Sequence, residues 1–437
     1  MAAFSKALGQ RPLQRLRSKQ EPRRRRLRTA PAGLAAALLC GLVACSPPPS
    51  EAVPVAGAAA ARTPVQDSVV ADVARQLFDQ RGLRAAVGQV IQDGEVIAEF
   101  ALGEAQTGVP ATVGDSYRNG AIAIAYLSVA ALRLAEQGVL DIEAPIHPYL
   151  PDFPEADRIT PRQLLSMTSG LPDYEPNSDF DAAFYADPFR AWTTQELLEF
   201  GISQPRLFEP GTNWDYSHTG IQVLGEVLAR AAGKPLSQVL QDEVLDPAGL
   251  KRTFSEQTAL IPEPVMHAFT AERGVYEDAT FWNPSWTLAA GAVQTTTVGD
   301  TARGFDAFIG RGEHLEPASH EALVARNLVG FGEPLEGCRS CHTLDEKFAY
   351  GLGVFIRGDY VAQTPLFGGY AASVLTLPET LALDGRSLTV SVAVTLLEDA
   401  VQDWTAPIPN RADELAIAIT AALRPGQAPP AFTLPRG

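Results

Sequence analysis

The spacing of apolar residues changes along the chain and marks its elements. Between Ala121 and Gln137 only Ser128, Arg133, Glu136 and Gln137 are clearly polar. A helix apolar nearly all round is a buried one, so this stretch is expected at the centre of the fold. Asn119 and Gly120 can start it, and Gly138 is placed to end it. Upstream, residues 67–81 have the period of an amphipathic helix. The run AAVGQVIQDGEVIAEFALG alternates on either side of Asp93-Gly94, a strong hairpin signal. Residues 141–284 read as helices and loops. Thr160-Pro161 is an N-cap with a first-turn proline, and 219–232 is an apolar helix ended by Gly233. Beyond residue 287 the pattern shifts: 350–357, 370–377 and 388–397 are strand-like. Residues 412–423 form a closing helix, and the Pro-rich tail 426–437 reads as loose. No internal repeat is visible.

The first 45 residues carry a different signal. Residues 1–31 hold ten Lys or Arg and one acid. An apolar run of about 13 residues follows, Ala32 to Ala44, too short to span a bilayer. A basic flank, a short apolar run and small residues make an export signal. The run Arg23–Arg26 is a twin-arginine cue or a plain basic flank. Leu42-Val43-Ala44-Cys45 resembles a bacterial lipobox, which implies a diacylated Cys45 as the first mature residue. Residues 46–66 are Pro/Ala-rich, a flexible tether with nothing to bury. The expected protein is exported and membrane-anchored through lipid; Ser46 favours the outer membrane of a two-membrane cell. From Cys45 onward there are 25 basic and 50 acidic residues. That charge excludes nucleic acid as a natural partner and disfavours anionic lipid headgroups.

Several motifs then carry a family resemblance. Tyr117, Arg118, Gly120, Glu136, Gly138, Leu140, Asp141 and Pro145 fit the pattern F-R-x-G-S-x-x-K followed by E-x-G-x-L-x-L-D-x-P. Residues 159–174, ITPRQLLSMTSGLPDY, and 207–236, with Tyr216-Ser217-His218, fit two further motifs. The stretch QTTTVGDTARGFDAFIGRG fits the helix after the pocket loop. Together they resemble the serine β-lactamase and penicillin-binding (DD-peptidase) superfamily, nearest its class C and esterase-like branch. The resemblance covers about 67–425. It implies an α/β (α+β) fold with an antiparallel sheet flanked by helices, from about 67–120 and 287–425. A mostly helical part, about 121–286, lies beside it, with the active site in the crevice between.

The same resemblance locates the losses. The serine position is Ala121 and the lysine position is Ile124. The Y-S-N element is Tyr216-Ser217-His218. The third motif, on the strand edging the crevice, meets Gln363 in place of the cation and Pro365 in place of glycine. Gly368, Gly369 and Tyr370 complete the ligand crevice that the resemblance implies. Acyl transfer on this scaffold needs a nucleophilic oxygen, a base one helical turn away and an oxyanion site. From Cys45 onward the lysines are Lys234, Lys251 and Lys347, preceded at i−3 by Ala231, Ala248 and Leu344. No S-x-x-K exists in the chain, and no G-x-S-x-G elbow or H-E-x-x-H either. His218 reads as a structural histidine satisfied by its neighbours.

Cys338-Arg-Ser-Cys341-His342 leaves four readings open, one of them a pair of free thiols. It matches covalent haem attachment (with Met167, Met266 or a histidine as axial ligand), it fits a short-loop disulfide, and it is half of a metal site. A metal would need further ligands, from His314, His320 or His342. The expectation is a disulfide, no metal and no cofactor.

The leading functional expectation is a family member without serine acyl-transfer chemistry. It would bind a cell-wall peptide, a small acyl ligand or a partner. An active hydrolase with a different nucleophile and a haem-bearing redox protein are the alternatives.

Overall fold

The computed structural model describes residues 64–255, 258–338, 340–396 and 409–430. The export signal, Cys45 and nearly all of the tether therefore lie outside the described residues. No described helix is long and apolar enough to cross a membrane.

Helix α1 (Pro64–Arg81) leads into the hairpin of β1 (Leu83–Gln92) and β2 (Glu95–Gln106). Asp93 and Gly94 both have positive φ, 51° and 80°, as a type I′ turn requires. Strand β3 (Val109–Pro110) edges β2. The remaining strands of the main sheet come late in the chain: β4 (Ala349–Tyr350), β5 (Phe355–Arg357), β6 (Tyr360–Gln363), β7 (Leu366–Phe367), β8 (Tyr370–Leu377) and β9 (Leu388–Leu396). The sheet runs β3-β2-β1-β9-β8-β6-β5-β4, antiparallel throughout, with β7 paired to β8. The expected single strand over 350–357 is instead the tight hairpin β4–β5, with Tyr350 facing Phe355. Gly353, at φ 67°, turns the chain back there.

Strands β1, β8 and β9 are buried on both faces. Helix α1 and the closing helix α10 (Arg411–Leu423) cover one face, packing Val70, Ala74, Leu415 and Ile419 on Val90 and Val392. The tail after α10 departs from expectation: at least as far as Pro430 it is held in place. The Gln427 amide donates to Asp359 and Leu381, and Tyr360 and Arg357 donate to the carbonyls of Gln427 and Pro430.

The other face carries the larger core and α2 (Ile122–Glu136), in which all but Arg133, Ala135 and Glu136 are buried. The apolar pattern of α2 is thus a consequence of contacts on every side. Helices α3 (Pro161–Leu165), α4 (Ser178–Ala186), α5 (Thr194–Ile202), α6 (His218–Ala232) and α7 (Leu236–Leu240) make up the helical part. Thr160 caps α3 in a capping box with Gln163, and Gly233 ends α6 at φ 65°. The stretch after the pocket loop gives α8 (Val298–Phe305), which packs on β1 and β9, and α9 (Pro317–Val324) follows it.

Candidate functional site

Ala121 is the residue before the first turn of α2 and is half-buried. Gly120 precedes it at φ 51°, and a Cβ there would sit 2.9 Å from Pro365 Cβ. The residue before Ala121 therefore packs against Pro365, next to the segment that carries Gln363. Ile124 is fully buried. Its carbonyl and Cγ2 lie 3.0 and 3.2 Å from where a Gly353 Cβ would stand.

Gln363 ends β6 and is also fully buried. Its Nε2 donates to the Gly353 carbonyl at 2.7 Å. The tip of the β4–β5 hairpin thus touches both positions at which the family places a cation. The hydroxyl of Tyr350, from the same hairpin, lies beside the Gln363 amide. After Gln363 the ladder breaks. Asn410 Nδ2 bonds the carbonyls of Thr364, Pro365 and Ala372 at 3.0–3.2 Å, and Ala372 N–H donates to Pro365. The proline, unable to donate, is accommodated by an edge remade around one asparagine.

Tyr216, Ser217 and His218 open α6. Ser217 is its N-cap, accepting Gly220 N–H at 3.1 Å, and is buried. His218 donates its backbone N–H to Asp173 Oδ1 at 3.1 Å, and its Nδ1 lies 3.0 Å from Asp173 Oδ2. One carboxylate so ties the 159–174 stretch to the start of α6. Burial opposes charging this ring, but Asp173, with help from Glu175, outweighs it and raises His218 to about 9. His218 is thus an imidazolium at neutral pH. The turn at the start of α6 brings the Tyr216 and His218 rings to 5.3 Å. Burial first, then the Asp173 and Glu175 charges, push the Tyr216 phenol well up. A phenol so raised does not supply a phenolate base. Its ring stacks on Phe355 at 6.1 Å and meets Tyr350 edge-on.

The far wall is committed to structure. Tyr370 is buried and its hydroxyl donates to the Met266 carbonyl at 2.5 Å. Gly369, at φ 84°, lies against the Phe269 backbone, and Gly368 against Trp282.

Cys338 and Cys341 are joined as a disulfide, and both are buried. Their loop sits on the Tyr216 segment. Ser340 Oγ accepts Tyr216 N–H at 3.2 Å and donates to Asp215; Asn213 pairs with the backbone of Glu333; His342 packs on Trp214. His314 packs instead on Phe308, and His320 bonds the Ile309 carbonyl. Sequence reasoning missed this docking, as it missed the Asp173–His218 pair. Asp173 stood in a recognised motif, so its position, though not its partner, was in view.

This architecture defines a β-lactamase-type protein. The beta-lactamase family matches residues 70–417, and the chain belongs to that family. Esterase EstB of Burkholderia gladioli is 32% identical over 40% of this chain and 48% of its own length. Penicillin-binding protein 4* of Bacillus subtilis is 30% identical over 32% of this chain and 31% of its own. The chain therefore spans about half or less of these curated relatives. D-amino acid amidase from Ochrobactrum anthropi SV3 superposes with a TM-score of 0.65 at 20% identity, over 83% of this chain and all of that one. A penicillin-binding protein homologue from Pyrococcus abyssi gives 0.65 at 18% identity, over 84% and 78%. These likenesses establish the fold.

Proposed function

We propose that this protein is a non-acylating member of its family, which uses the crevice to bind a cell-wall peptide or a small acyl ligand without forming a covalent intermediate. The observation that carries the reading is the pair of residues Ala121 and Ile124 at the positions of the nucleophile and its base, with Ile124 fully buried against the Gly353 turn. A serine alone would keep its proton with no base beside it. Tyr216 does not take that role, since its phenol is held protonated. Ser217 does not replace the nucleophile, since its oxygen caps α6.

The test is intact-protein mass spectrometry after exposure to a penicillin and to a fluorophosphonate. No adduct is expected; a stoichiometric, site-specific adduct on the wild-type protein would overturn the reading. The ligand is sought by titrating soluble cell-wall fragments.

The reading includes export and a lipid anchor at Cys45, supported by the LVAC sequence and the tether that follows. Anchoring of this kind takes more than one acyl chain.

A further inference from the structure

The Asp215 carboxylate and the sulfurs of Cys338 and Cys341 lie within 4.8 Å of one another, and all three residues are buried. We propose that, when the disulfide is reduced, these three groups hold a divalent ion of the zinc class, so that the loop has an oxidised covalent state and a reduced metal-bound state.

The donor set suits that ion. Two thiolates spaced C-x-x-C with one carboxylate are zinc ligands, with metal–sulfur distances of about 2.3 Å and metal–oxygen distances of about 2.0–2.2 Å. A tetrahedral ion therefore needs its donors roughly 3.5 Å apart, within reach of side-chain rotation from the present positions. The loop backbone is already arranged for a thiolate, because Cys341 N–H donates to Cys338 Sγ at 3.1 Å. A second, independent feature points the same way. His342, the next residue, is nine-tenths buried and its Nε2 has no hydrogen-bond partner. Its Nδ1 is 2.6 Å from the Ser340 carbonyl. An imidazole that donates Nδ1–H to a backbone carbonyl and keeps Nε2 unprotonated has the tautomer of a metal ligand. His342 is not one of the groups gathered within 4.8 Å and reaches the fourth position only if the loop shifts on reduction; otherwise water fills that position.

The exchange balances. A dithiol supplies two electrons and two protons, leaves as its own disulfide, and opens the Cys338–Cys341 bond to two thiols. The divalent ion then displaces both thiol protons to solvent. Asp215 turns from accepting the Ser340 hydroxyl to ligating the ion. Because Asp215 precedes Tyr216 in the chain and Ser340 holds Tyr216 N–H, the exchange is felt at the crevice.

The test uses the full-length protein, oxidised or reduced with a trialkylphosphine that is itself oxidised to the phosphine oxide. Reduced protein is expected to take up one zinc per chain and oxidised protein less than a tenth of that. Cobalt(II) on the reduced protein is expected to give the intense visible bands of a tetrahedral site with thiolate charge transfer. Asp215→Asn is expected to weaken zinc binding by on the order of tenfold or more. Equal uptake by oxidised protein, weak octahedral cobalt bands, or an Asp215→Asn variant with parental affinity would each overturn the proposal. If that variant does not fold, the cobalt spectrum of the reduced parent decides.

Discussion

Ile124 and Gly353 are in such close contact that a methyl group on Gly353 would lie 3.0 Å from the Ile124 carbonyl and 2.1 Å from Ser128 Oγ. The position that the resemblance gives to the family's lysine is therefore sealed by a hairpin tip. Gln363, from the opposite side, completes the seal through the Gly353 carbonyl.

Reinstating the lysine should be costly. Ile124→Lys puts an ammonium into a fully buried site, and the expected loss of stability is roughly 3 kcal/mol or more. Ala121→Ser alone should be nearly neutral in stability and should form no penicillin adduct. Denaturant unfolding and intact mass measure the two effects. A stable Ile124→Lys protein would show that the hairpin tip yields.

His218 gives a pH signature of definite sign. Its folded value is raised from 6.5 to about 9, so its contribution is fully present below 6.5 and is lost as pH rises through about 9. The contribution is on the order of 3 kcal/mol, and His218→Ala should flatten stability over that window. Urea unfolding of both proteins from pH 6 to 10 reads it directly. Equal pH dependence in the two would remove the imidazolium–Asp173 pair from the account.

Ser340→Ala should free the Tyr216 segment. It removes the acceptor for Tyr216 N–H and the donor to Asp215, and should cost roughly 1–3 kcal/mol. Faster amide exchange is expected over residues 213–218 and not in β8 or β9. The disulfide itself closes so short a loop that its reduction should cost roughly 2 kcal/mol or less. Non-reducing mass spectrometry should show the loss of two hydrogens relative to the dithiol.

Gly120→Ala should destabilise by about 1–3 kcal/mol, because φ 51° and a 2.9 Å approach to Pro365 both exclude a side chain. The Tm of the variant checks it.

Cys45→Ser should release the protein from membranes. Fractionation and the N-terminal mass check this, and an unchanged mass on a protein that stays membrane-bound would refute the lipid anchor.

Much of this fold is written locally. The turn at Asp93-Gly94, the cap at Thr160, the stop at Gly233 and the apolar α2 are short-range signals, and each names its own geometry. What escaped reading depends on residues far apart in the chain. Nothing near Asp173 announces that its carboxylate caps and charges His218, 45 positions on. Nothing near Cys338 announces that its loop will dock on Asn213–Tyr216. The 350–357 stretch reads as one strand, and the turn at Gly353 shows itself only in the fold, where it packs against Ile124. The departures from the family pattern at Ala121, Ile124 and Gln363 could be read in the sequence; the way the hairpin tip reaches Ile124 and Gln363 could not.

The pairing of β1 with β9 has a consequence for how the molecule is made. Leu83 meets Leu396, so the strand begun first finds its neighbour only when nearly the whole chain exists. A chain emerging amino end first must wait with one long apolar strand edge unpaired, open to association with other copies. Such late, long-range closure is slow. Assembly of this protein should therefore depend strongly on concentration, and on any chaperone that covers the first hairpin until the last strand arrives.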